Sequence, residues 1–596
     1  MKFKKFASLA VATAMTASLL SGCGGGSTDS GNNGGGTETK TEAADGGSDD
    51  SGSDAGSDDG AATEANKDDT YTVDFYNVAA NFQGIQPGWY GKIVKDKFNI
   101  DLNIISPQVS GDGGALYQTR CAAGNLGDLI ILDNAPMGEC VEAGLIHDLT
   151  DVIGKYPNLM RYQSQIEEFN KQMGDGTKIY AIPLEMNNNG PTDYKQLHVY
   201  TYPRMGWDMY NEVGAPELKN LDDLLNCLKS IQDAHPTNEK GDPAYAITMW
   251  KDWDSQYSEN VAQLTKWYGQ EVNGSVLIDT ENNIKPLTDK DSAYYKMLKF
   301  FFKANQMGLV DPDSATQDWN AVVSKMQDKR VYLYWYSWQY GFWNSPERGE
   351  EGVNYVEIPV ADTHLYQPSD TYYGDGRVLA VGSQVDDEHL DRLMEFLDWY
   401  ASPEGVQIQH AGTEGLTYTI EDGKYTPTQD GLNRFSAEVI VPDDMGGGNW
   451  NDGNNMINQW IVASCDINPD TGEPYSDQMW STTIEMNQTK TTKEWTEKFG
   501  AADDVEYLKK NNMMTIVPSI NMSLAVDTTD ISLIREQCGN TIKDSSWRMV
   551  FASDEADFDA QWDAMCDELN GLGWEDLVAF DTEKYQPMLD ARKAAQ

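Results

Sequence analysis

Residues 71–132 constrain the fold more than any other stretch. The run 71–78 (YTVDFYNV) alternates with the period of a strand, a helical stretch carrying Trp89, Ile93, Val94 and Phe98 follows, and 100–105 (IDLNII) is a second strand. A helix around 116–123, a turn at 124–128 and the apolar run 129–132 (LIIL) complete a strand–helix–strand–helix–strand order. That order predicts an α/β layer with a largely parallel sheet, because parallel neighbours need a connection long enough to hold a helix. Ligands of such sheets sit beyond the carboxyl ends of the strands, which singles out the loops after Val78 and Leu132.

The chain ahead of this layer is an address and a tether. Lys2, Lys4 and Lys5 head an Ala-rich apolar run, 6–20, that ends in Leu20-Ser21-Gly22-Cys23. A charged head, a short apolar core and small residues before the cut make a secretory signal. The run is too short for an ordinary spanning helix, which needs roughly 20 apolar residues. LSGC resembles the lipobox of bacterial lipoproteins, which implies a signal peptide at 1–22, acylation of Cys23, and a chain anchored by lipid at the extracellular face of the membrane. From 23 to 70 the sequence is Gly, Ser, Thr, Asp and Glu with almost no large apolar residue, so it reads as a flexible acidic linker.

Charge narrows the partners. A formal net charge of -51 over 596 residues argues against nucleic acid and against lying flat on an anionic membrane. Contact with the membrane is therefore expected through the anchor only, and a monomer is expected. Six cysteines remain beyond Cys23, at 121, 140, 227, 465, 538 and 566, which permits up to three disulfides in an exported chain and leaves their pairing open.

Further along, the stretch 176–190 (GTKIYAIPLEMNNNG) crosses from an apolar strand into an Asn-rich segment, the kind of place where a chain passes between lobes. Residues 200–326 are mainly helical, with helices at 221–231, near 261–268 and at 292–306. A strand opens 330–343, another spans 377–383, and periodic helices follow at 388–400 and around 558–569. These shifts suggest a first lobe of 71–190 plus about 330–400, and a second, more helical lobe of about 191–329 plus 401–596.

Five stretches, in order, resemble family 1 extracellular solute-binding proteins of ABC importers, and within them the long LplA-like branch of Gram-positive bacteria. They are 122–132 (AAGNLGDLIIL, with Gly127 where proline is usual), 142–158, 202–231, 397–418 (LDWYASPEGVQIQHAGTEGLTY, the most distinctive) and 552–578. The resemblance implies a two-lobed α/β fold of the periplasmic-binding-protein kind, type II-like, with crossover strands and a ligand cleft between the lobes. It also implies delivery of a ligand, commonly an oligosaccharide, to a membrane permease, with no catalysis.

The residues agree on the ligand class. A sugar ring has an apolar C–H face and a polar rim, so its sites pair flat aromatic faces with carboxylates and amides. The chain holds 17 Trp and 30 Tyr. Four segments combine these types: Trp250, Asp252 and Trp253; Trp335 and Trp338; Tyr372, Tyr373 and Asp375; Trp450 and Asn451. These ten are the candidate ligand-binding residues, against the bland alternative that each tryptophan is core packing. No Gly-x-Ser-x-Gly elbow, His-Glu-x-x-His helix or P-loop is present, and the six histidines are scattered. No catalytic residue, cofactor or metal is assigned. A segment from Asp466 through Asn468, Asp470 and Gly472 to Asp477 partly matches a calcium loop, but its glycine falls one place late and it is equally a good turn. A surface glycoside hydrolase or lyase, a peptide-binding protein of the same family, and a glycan-display adhesin are the alternatives.

Overall fold

The computed structural model describes residues 67–596, apart from 111–112, 135, 172–175, 422, 436–437, 455–459 and 523. The leader at 1–22, Cys23 and the linker up to 66 lie outside the described residues.

The expected parallel layer is the centre of the first lobe. Tyr71–Asn77 pairs in parallel with Ile100–Ile105 on one side (Tyr71 opposite Ile100) and with Leu129–Asp133 on the other (Phe75 opposite Leu129). Arg377–Val381 joins antiparallel to Leu129–Asp133, and the two-residue strand Ile182–Pro183 closes that edge. Period-two alternation divides these strands between two cores. Val73, Phe75, Leu129 and Ile131 face the main core, whereas Tyr76, Ile130 and Leu132 face a smaller cluster under the helices Gly113–Ala122 and Met137–Glu142. The apolar strand expected ahead of the Asn-rich end of 176–190 shrinks to Ile182–Pro183 because the Asn170 amide takes over the backbone before it. Its Oδ1 accepts from the N–H groups of Tyr180 and Ala181, and its Nδ2 donates to the Ala181 carbonyl.

The second lobe is more helical. A three-stranded antiparallel sheet places Thr201–Gly206 between Leu333–Tyr336 and Tyr355–Glu357. Helices Leu221–Ala234 and Ala293–Gln306 begin at Asn220 and Ser292, whose side chains accept from backbone N–H groups three residues on. Helices Thr529–Val550, Glu555–Leu572 and Trp574–Ala595 close the chain, with Gly573 in the left-handed conformation between the last two.

The lobe boundaries differ from those read in the sequence. Residues 330–365 belong to the second lobe, since Leu333, Trp335, Tyr355 and Leu365 sit in its core. Residues 401–475 belong to the first, since Val406, Ile408, Leu416, Val439, Trp450, Ile461 and Tyr475 pack there. The cause is long-range pairing: Leu333 opposes Met205, and Met186 bridges to Val462. Such partners leave no local trace in composition. The chain thus passes between lobes near 187–198, 366–376 and 476–490. The six cysteines are free thiols, and Cys121 and Cys140 share the small cluster under the sheet. No helix among the described residues is long and apolar enough to cross a membrane.

Candidate functional site

Two of the tryptophan segments come together. The loop holding Trp250 and Trp253 meets the segment holding Trp335 and Trp338, and the four rings form one cluster with Trp319 and Tyr336. The cluster has a buried base and an exposed face. Trp250 and Trp335 stack at 5.3 Å and 6° and are wholly buried in the second-lobe core. They are therefore packing residues, because no face of either ring is left for a ligand. Trp253 and Trp338 are each 37% exposed, Trp319 is half-buried between them at 4.9 and 5.2 Å, and Trp338 stacks on Tyr336 at 4.9 Å. Asp252 does not stand beside a ring as an open acceptor: its carboxylate takes the backbone N–H of Trp319 at 3.1 Å, which positions that ring.

Tyr200 extends this face towards the first lobe. It is 41% exposed and its ring lies 5.4 Å from that of Tyr336. Although part of the residue is exposed, desolvation around its phenol pushes that group up to about 12 against a hydrogen bond from Trp338; the charges of Glu259 and Glu185 add to the rise and Arg377 offsets it. Glu185 and Arg377 belong to the first lobe and Tyr200 to the second, so these charges act across the space between the lobes.

Glu185 and Arg377, whose charges reach Tyr200, stand with Asp375 in a carboxyl-rich group of the first lobe. The Asp375 N–H donates to the Leu184 carbonyl at 2.9 Å, and its carboxylate accepts from Arg377 Nε at 2.8 Å. Strand register sets Asp133 opposite Arg377. Gly374 makes the approach possible: its φ is 96°, and a Cβ there would meet Pro183 at 2.8 Å and the Leu184 carbonyl at 2.9 Å. Tyr372 and Tyr373, half-buried and edge-on to one another at 4.6 Å, lead into this turn. Of the remaining candidates, Trp450 is buried in the first-lobe core, stacked on Trp89 at 4.3 Å, and cannot present a face. Asn451, on the same short helix, is exposed, and nothing links it to the aromatic face.

Glu185, like Trp319 and Tyr200, is not singled out by the sequence. It has φ 55°, left-handed without being glycine, a conformation that costs roughly 1–3 kcal/mol and persists only when its surroundings enforce it. Here its N–H donates to the Trp460 carbonyl at 2.8 Å and its carbonyl accepts from Thr371 at 2.6 Å. No hydrogen bond among the described residues reaches its carboxylate. Burial pushes that carboxyl up to about 7, Asp375 adding and Arg377 offsetting. A raised carboxyl contributes stability below its ordinary value of 4.5 that is lost as pH rises through about 7. Glu185→Gln should therefore denature at a higher temperature than the wild type above pH 7, with the two converging below 4.5; a gap that stays constant with pH would overturn this.

A separate cavity of about 440 Å3 lies between the lobes, lined by Pro136 and Glu139 from the first and by Tyr257, Arg535 and Lys584 from the second. Pro136 and Glu139 follow the strand ending at Asp133, one of the two loops singled out by the sheet order. The calcium-like segment is occupied by protein partners: Asp466 accepts from the Tyr162 hydroxyl at 2.6 Å, and Asp477 pairs with Arg434 at 2.6 Å. Among the described residues, His198, Glu357 and Asp504 bring ligand-type atoms within 4.8 Å of one another. Arg204 already neutralises that group, with Nε 3.0 Å from Glu357. Burial alone would lower the His198 imidazole, but the charges of Glu357 and Asp504 push it up to about 9, so two cations face two carboxylates.

The comparisons agree with this architecture. A family model described as "Bacterial extracellular solute-binding protein" matches residues 79–407. The fructooligosaccharide ABC transporter substrate-binding protein FusA of Streptococcus pneumoniae is 24% identical over 223 residues, which is 36% of this chain and 40% of that protein. Among solved structures, alginate-binding protein AlgQ2 without calcium ion superposes with a TM-score of 0.59 at 16% identity, over 87% of this chain and 98% of that one. FusA in complex with kestose gives 0.58 at 16% identity, over 88% and 100%. A human-milk-oligosaccharide (HMO) binding solute-binding protein of Bifidobacterium longum infantis gives 0.53 at 16% identity, over 87% and 99%. These likenesses show a two-lobed α/β solute-binding fold. With the family model matching more than half of its length, the chain belongs to the bacterial extracellular solute-binding proteins.

Proposed function

We propose that this protein captures an oligosaccharide between its lobes and hands it to the permease of an ABC importer, held at the membrane by a lipid on Cys23. The observation that carries the reading is the exposed face of Trp253 and Trp338, continued through Tyr336 to Tyr200, where the charges of Glu185 and Arg377 in the other lobe reach it. Aromatic faces cover the apolar side of a pyranose or furanose ring, and carboxylates accept from its hydroxyls. Nothing covalent is required: closure on the ligand supplies the signal the permease reads. Relatives named for fructo-oligosaccharides and human milk oligosaccharides support the sugar class.

Calorimetric titration with a panel of neutral oligosaccharides tests this. One or more should bind, and Trp338→Ala should weaken that binding roughly 30-fold, about 2 kcal/mol, as for a central aromatic anchor. Binding of peptides but no sugars would overturn the sugar assignment, and release of shortened products would favour a hydrolase. Cys23→Ala should release a form that still binds but supports uptake poorly; undiminished uptake would remove the anchor from the reading.

A further inference from the structure

We propose that this cleft selects uncharged oligosaccharides and rejects those bearing carboxylate groups, with Glu185, Asp133 and Glu259 as the rejecting residues. The inference rests on the carbohydrate reading above and adds the charge class of the ligand.

A site that takes an acidic sugar needs a cation free to meet the carboxylate, best an arginine offering two parallel N–H bonds. The cations placed between the lobes are already committed: Arg535 pairs with Asp527 and Asp581, and Lys584 pairs with Asp527. Arg377 lies along Asp375, with Nε and the terminal nitrogen both on Oδ2. Lys266 pairs with Glu271 at 3.3 Å, donates to Gln263 at 3.2 Å and sits 5.6 Å from the centre of the Tyr200 ring. Three carboxyls are left over. Asp133 stands opposite Arg377 in the ladder, but that guanidinium is shared with Asp375. Among the described residues, the Glu259 carboxylate accepts only from the Gln263 amide, at 2.7 Å. The Glu185 carboxylate has no hydrogen-bonding partner among the described residues, held where its strained backbone puts it.

The titration of these groups reports the same field. Desolvation raises the half-buried Glu259 above the usual range and Glu185 furthest; Asp133, at the exposed end of its strand, is raised as well, with Arg377 offsetting. A wall that keeps a proton on its own carboxyl near neutrality will oppose a second carboxylate arriving on a ligand. Sugar hydroxyls meet no such opposition, because a hydroxyl donates to a carboxylate and accepts from a protonated one.

The test uses the full-length protein and a matched pair: the neutral oligosaccharide that binds most tightly, and the same molecule oxidised at its primary hydroxyls to the uronate. The uronate form should bind on the order of 10-fold or more weakly, the scale of one like-charge contact in a partly buried site. Glu185→Gln should narrow that ratio. The ratio should also shrink from about pH 8.5 to about pH 6 in the wild type, because the uronate stays charged while Glu185 becomes neutral. Asp375 and Arg377, Cys465 and Tyr200 are the titratable or charged groups facing Glu185 from its own lobe, from the segment after Trp460 and from the other lobe. Equal or tighter uronate binding would overturn this inference and leave the carbohydrate reading standing. If neither form of any sugar binds, the carbohydrate reading fails and this inference fails with it.

Discussion

Arg204→Met is expected to cost the second lobe about 3–5 kcal/mol, the usual scale for removing one partner of a buried ion pair. Arg204 is wholly buried beside the crossover that ends at His198. Its Nε meets Glu357 at 3.0 Å, one terminal nitrogen donates to the carbonyls of Tyr202 and Trp335 at 3.0 and 2.6 Å, and the other donates to Val199 at 2.6 Å. Methionine fills the volume but removes the guanidinium donor from these carbonyls and leaves Glu357 with His198, 3.5 Å away, as its remaining cation. Thermal denaturation should show a clear loss of Tm. Adding Glu357→Leu should recover much of it, because His198 and Asp504, 2.8 Å apart, remain a balanced pair. A single variant as stable as the wild type would show that the pair is not what holds this crossover.

Trp250→Ala is expected to be nearly as damaging, by a different mechanism. Trp250 stacks on Trp335 and meets Trp253 and Trp319 edge-on at 5.2 and 4.7 Å, so truncation opens a cavity under the whole aromatic face. Buried aromatic-to-alanine changes cost about 3–5 kcal/mol. Trp253→Ala, three residues along and 37% exposed, should cost less than about 1 kcal/mol and act on sugar binding instead. Chemical denaturation and calorimetry on the two variants separate the roles. Equal destabilisation by both would mean that Trp253 is packing as well, and that the exposed face is smaller than drawn.

Much of this protein was legible without coordinates. Strands at 71–78, 100–105 and 129–132 were readable from alternation or an unbroken apolar run, and helices at 221–231, 292–306 and 388–400 from their period and their caps. The pairing of residues 330–365 with the second lobe was not readable, because Leu333 opposite Met205 joins segments far apart in the chain. The tryptophans divide in the same way. Composition alone marks MWKDWD and YWYSW as aromatic beyond need, but Trp250 and Trp253 have the same local chemistry, and only their depth separates base from face. Trp319 and Tyr200 carried no aromatic neighbourhood strong enough to single them out.

By itself, then, the sequence determined the α/β class and the family and marked the aromatic segments, because these follow from periodicity, motif order and residue type. Tertiary structure alone decided which of those aromatic rings keep an exposed face. Left-handed Glu185, clamped by the carbonyl of Trp460 and the hydroxyl of Thr371, owes its position to contacts between segments that no local pattern encodes. Its carboxyl is perturbed because other chain segments exclude water from it, and exclusion of water is a property of the assembled fold.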